Sequence, residues 1–79
     1  MAIDYYELAK TVIKLLQMDG YPDAASRLDD VLQAGMGATE ILMGLRYHIR
    51  EVLSEGLAIP GSTSAAMNDL LSAIDKALL

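Results

Sequence analysis

Seventeen consecutive residues, Thr39 to Glu55 (TEILMGLRYHIREVLSE), carry apolar side chains at a spacing that only a helix turns to one side. Ile41, Leu42, Leu45, Ile49, Val52 and Leu53 recur at intervals of three and four, which at about 100° per residue gathers them into one stripe. That stripe is a core face, and the segment is expected to be the central helix against which the rest of the chain packs. Met43 and Tyr47 fall on the reverse of the same wheel, flanked by Glu40 and Glu51. One core has no use for a second apolar surface on the same rod. Either the last helix or the wide face of the first covers that surface, or a partner does, in which case the expected partner-binding strip is Met36, Glu40, Met43, Tyr47 and Glu51.

Length and composition narrow the rest. A chain of 79 residues makes one domain, residues 1–79, whose core supplies only about 3–5 kcal/mol of net stability without staples. Cysteine is absent, so neither a disulfide nor a thiolate metal site contributes. Phe and Trp are absent too, which leaves a core of Leu, Ile, Val, Ala and Met suited to close helix packing. At 53% hydrophobic residues the chain has more apolar surface than a small lone domain needs, and self-association as a homodimer would cover the surplus. The net charge of −5 opposes attraction to phosphate backbones and anionic lipid, which points away from nucleic acid and membrane and toward a basic protein partner. MAIDYYELAK has no basic region ahead of an apolar run, and no apolar stretch reaches the roughly 18–20 residues that span a bilayer, so the cytoplasm is the expected location.

Read in order, the chain breaks into helices at about 4–18, 22–34, 39–55 and 63–78, an all-α, irregular four-helix bundle. Asp4 with Glu7 three residues on fits a capping box, and Ile3 is placed as a staple against Leu8. Tyr5, Leu8, Ala9, Val12, Ile13, Leu15 and Leu16 cover nearly half the first helix, a face wide enough for two neighbours. Asp19-Gly20 ends it, and Pro22 opens the second helix, whose early alanines, Ala24 and Ala25, permit a close approach. Arg27, Asp29, Asp30 and Gln33 are assigned to its wet side. The AGMG segment, Ala34 to Gly37, follows as a flexible or tightly turned connection. Thr39 is the expected cap of the third helix, with an incomplete box because Leu42 stands three residues on. Gly56 ends that helix, Leu57, Ala58 and Ile59 are expected to lie on the core, and a cap drawn from Ser62, Thr63 and Ser64 starts the last helix. No alternating strand pattern and no internal repeat appears.

Residues with chemistry are sparse. His48 is the only histidine, with Glu51 one turn on, but a catalytic metal needs about three protein ligands and a structural one about four. Arg46 and Arg50, one turn apart, could grip a phosphate or carboxylate, although such pairs more often lie over apolar neighbours and meet local acids. Asp29 and Asp30 are adjacent and diverge by about 100°, so they form no facing pair. No cofactor is implied. A small acidic helical chain is also similar to acyl carrier proteins, where a serine at the start of the second helix bears a phosphopantetheine arm. Ser26 in DAASRLDD is the positional match, but Ala25 and Arg27 stand where that family has Asp and Leu.

DGYPDAASRL, Asp19 to Leu28, followed by ATEILMGLR, Ala38 to Arg46, resembles small bacterial hypothetical proteins that share a helix, an Asp-Gly break and a Thr-Glu-Ile-Leu helix start. Some small acidic helical proteins of that kind resemble immunity proteins that neutralise a partner toxin. The expectation is a non-enzymatic helical interaction module, self-associating or bound to another protein, with an immunity-like or antitoxin-like inhibitor as one form. The alternative is a small carrier or enzyme domain using Ser26 or His48.

Overall fold

The computed structural model of the chain describes residues 4–34 and 37–79. Among the described residues it contains four helices and no strand: α1 (Tyr5–Met18), α2 (Pro22–Gln33), α3 (Ala38–Ser54) and α4 (Gly61–Ala77). The all-α four-helix reading holds, with every boundary within two residues of its expected place. None of these helices is long and apolar enough to cross a membrane.

The helices form a ring. α1 packs on α2 and α4, and α3 packs on the same two. The wide apolar face of α1 thus meets two neighbours, as its sequence implies. α3, however, is one side of the ring and not a central post. Each helix turns a three- and four-spaced set inward: Ala9, Val12, Ile13 and Leu16 from α1, Ala24, Ala25, Leu28 and Leu32 from α2, Leu45, Ile49 and Val52 from α3, and Met67, Leu70 and Ile74 from α4. Leu8, read as part of the α1 face, is exposed instead.

The first break is built as expected from Asp19-Gly20. Gly20 adopts φ +88°, the left-handed conformation that glycine takes without a side-chain penalty. Its N–H donates to the Gln17 carbonyl at 3.2 Å and the Tyr21 N–H to the Leu16 carbonyl at 2.9 Å, the paired bonds of a Schellman ending. Pro22 then takes the first position of α2. At the start of α1 the Asp4 carboxylate accepts from the Glu7 N–H at 3.1 Å. Ile3, its expected staple, lies outside the described residues, as do Gly35 and Met36.

Two helix starts differ from their sequence reading. α3 begins one residue early, capped at Gly37, because Glu40 then stands at the third helical position and its carboxylate accepts from the Gly37 N–H at 2.8 Å. Glycine has no side chain to return the bond, so the box has one arm. α4 begins after Pro60, ahead of all three candidate caps. Thr63 is buried and its hydroxyl donates to Asp19 Oδ2 at 2.5 Å, tying the end of α1 to the first turn of α4. A carboxylate there also meets the positive end of the α4 dipole. Of the Leu57 to Ile59 connection, Ile59 packs on the core, while Leu57 and Ala58 are exposed.

The α2–α3 contact is close. A Cβ built on Gly44 would sit 3.0 Å from Val31 Cγ1, so α3 lies against α2 at a distance set partly by a missing side chain.

Candidate functional site: the outer strip of α3

A ring of four helices leaves each an outward side, and on α3 that side carries the residues singled out from the sequence. Met43 is 49% exposed and Tyr47 64%. They stand one turn apart, with Arg46 and Arg50 beside them, and the four side chains line one shallow depression of about 370 Å³. The Tyr47 ring meets His48 edge to face at 5.1 Å. Glu40 is exposed at the start of the helix, its carboxylate partly engaged by the Gly37 N–H. Met36 lies outside the described residues.

Glu51 does not join this strip. Its carboxylate accepts from Arg27 of α2 at 2.8 Å and lies 3.3 Å from His48 Nδ1. Arg27 in turn reaches Glu55 with two bonds of 3.0 and 2.9 Å, so one guanidinium joins two carboxylates a turn apart, Glu51 within α3 and Glu55 capping its end. Arg27, assigned from sequence to the wet side of α2, is half-buried between the helices for that reason. Its hydrogen bonds to Glu55 and Glu51 push its pKa above the ordinary arginine value. Conversely, the bond from Arg27 holds Glu51 below the usual carboxylate range, with a smaller contribution from His48, and the same guanidinium lowers Glu55.

The pH consequence follows from that direction. A carboxylate whose folded pKa is depressed adds stability that is complete above its unfolded value, about 4.3 for Glu, and is lost as pH falls through the folded value. Arg27→Gln is therefore expected to lower the thermal midpoint at about pH 7 and to match wild type at about pH 2, where the carboxylates are protonated in both states. A midpoint difference that stays constant across this range would show that the triad contributes nothing through charge.

With Glu51 bonded to Arg27, the strip keeps two cations, Arg46 and Arg50, along one edge and Glu40 exposed at its start. Arg46 and Arg50 share one acid, Asp75 of α4, at 3.7 and 3.4 Å. Asp29 and Asp30, adjacent in sequence, both lie on α2, half-buried and exposed respectively.

The residues held for catalytic or carrier chemistry are scattered. His48 is half-buried and, among the described residues, its one hydrogen-bonding partner is Glu51, which is already bonded to Arg27. Among the described residues no group of three or more His, Asp or Glu side chains is disposed to hold a metal. Ser26 stands exposed in the first half of α2, between buried Ala25 and the committed Arg27. One feature was not legible in advance: a cleft of about 520 Å³ between the first turns of α1 and α3, lined by Tyr5, Tyr6, Ile41, Leu42 and Leu45 among others. It joins residues some 35 positions apart, and only the ring closure creates it.

Comparison with known protein families, with curated proteins and with solved structures finds no match to this chain.

Proposed function

We propose that this chain is a non-enzymatic docking module that binds another protein through the outer strip of α3. The observation that carries this reading is the contiguous exposure of Met43 and Tyr47 beside two arginines, on a helix whose other side already fills the core. Single exposed apolar residues are ordinary on protein surfaces. Met, Tyr and Arg side by side are the residue types enriched where proteins meet, because Met adapts, Tyr gives area at low entropy cost and Arg offers several directed donors. Such a module acts by occupancy, in the cytoplasm, by blocking, holding or assembling its target. An immunity-like or antitoxin-like inhibitor is one instance.

The test compares three baits in an extract of the native cells: wild type, Tyr47→Glu and Leu57→Glu. Both substituted side chains are exposed, so each variant should keep its stability within about 0.5 kcal/mol. Expected is a protein retained by wild type and Leu57→Glu and lost from Tyr47→Glu. Identical captures on all three would reject the strip as the docking surface.

A further inference from the structure

Met43, Arg46, Tyr47 and Arg50 follow one another at i, i+3, i+4 and i+7, so they share the outward side of α3 over two turns. Two of the four are cationic on a chain whose net charge is −5. Among the described residues their one ion-pair partner is Asp75. Arg50 lies 3.4 Å from both of its oxygens and Arg46 lies 3.7 Å from one. Contacts of that length are at or beyond the outer limit of hydrogen bonding, and one carboxylate accepts far fewer bonds than two guanidiniums donate. Spare donors are left along the Arg46 and Arg50 edge of the apolar pair, while Glu40, exposed one turn before Met43, balances the remaining positive charge at the start of the strip. An arginine edge with spare donors beside apolar side chains selects for carboxylates at that edge.

Resting on the docking reading above, we infer that the partner segment is an amphipathic helix whose apolar stripe is edged by carboxylates. Its apolar side chains lie against Met43 and Tyr47 in the helix-in-groove manner, and its acids lie over Arg46 and Arg50, whose planar forks grip carboxylates in pairs of bonds. A second copy of this chain is a poorer complement in the antiparallel arrangement. A two-fold axis that lays α3 antiparallel on α3 brings the same flank of both copies together, and so sets Arg46 and Arg50 beside their own equivalents.

Two amidated helical peptides test the inference, both with leucines at i, i+3, i+4 and i+7, one edged with glutamates and the other with lysines at the same positions. The protein's net charge favours the lysine peptide, which makes the comparison stringent. Expected is that the glutamate peptide shifts the backbone amide resonances of Met43, Arg46, Tyr47 and Arg50 and binds there about tenfold more tightly than the lysine peptide, a factor within reach of one charge-assisted contact. In the double variant Arg46→Gln/Arg50→Gln that preference should vanish while the wild-type helical spectrum is kept, because exposed ion pairs contribute only about 0–1 kcal/mol to folding. Equal binding of both peptides at the strip would overturn the charge inference and leave the docking surface standing. Shifts confined to other faces would overturn both. A dimer in sedimentation at micromolar concentration that Tyr47→Glu dissociates would overturn the inference by assigning the strip to a second copy.

Discussion

Ile49→Ala is expected to remove half or more of the domain's folding free energy. Ile49 is fully buried, on the inward side of α3. Truncating a buried isoleucine costs about 2–5 kcal/mol, the lost transfer energy plus the cavity left behind. At about 0.05–0.15 kcal/mol per residue, a chain of 79 residues has about 4–12 kcal/mol to lose, and one without disulfides sits toward the low end. The buried residues of all four helices form one cluster, so no separate core compensates. Urea denaturation followed by helical circular dichroism should show a midpoint at half the wild-type value or lower. Leu57→Ala, at an exposed position, should move it little. An unchanged midpoint for Ile49→Ala would mean that the inner stripe of α3 is not the core.

The second large effect is expected at the junction of α1 and α4. Thr63→Val keeps the side chain's shape and deletes the hydroxyl that donates to Asp19 Oδ2. Hydrogen bonds to charged groups are worth about 1.5–3 kcal/mol, and here one loss leaves a half-buried carboxylate without its partner. Asp19→Ala should cost a similar amount, since the threonine hydroxyl is then the buried group left unpaired. Because both variants delete the same bond, the double variant should be less destabilised than their sum, with a coupling of at least about 1 kcal/mol. Additive losses would show that the two side chains act on stability independently.

Much of the architecture is legible in the sequence because it is local. Three- and four-residue spacing gives the helices, Gly20 and Gly56 supply the left-handed φ values of +88° and +70° that end α1 and α3, and Pro22 begins α2. What escapes is set by contacts between distant residues. Asp19 and Thr63 read separately as a helix end and a candidate cap. Only the ring brings them within bonding distance, and the α4 start moves with them. Arg27 reads as a wet residue until α3 presents Glu51 and Glu55 to it across the α2 boundary. That same contact draws Glu51 away from Met43 and Tyr47 and so changes the charge of the strip. Gly44 makes room for Val31 of α2, a role that no local pattern carries. Exposure of Met43 and Tyr47 is likewise open in the sequence, since the last helix or the wide face of α1 could cover them, and it is the ring that leaves them outside.

Two exposed methionines provide the most direct test of whether the outer side of α3 is covered by a partner. Met43, 49% exposed, lies on the strip, and Met18, 72% exposed, lies at the end of α1 away from it. Peroxide converts accessible methionine to the sulfoxide, and mass spectrometry reads each site. Expected is that both methionines oxidise in the dilute purified protein, and that in an extract of the native cells Met43 is protected while Met18 reacts as before. Oxidation of Met43 in the extract at its purified-protein rate would contradict a docking role for this strip.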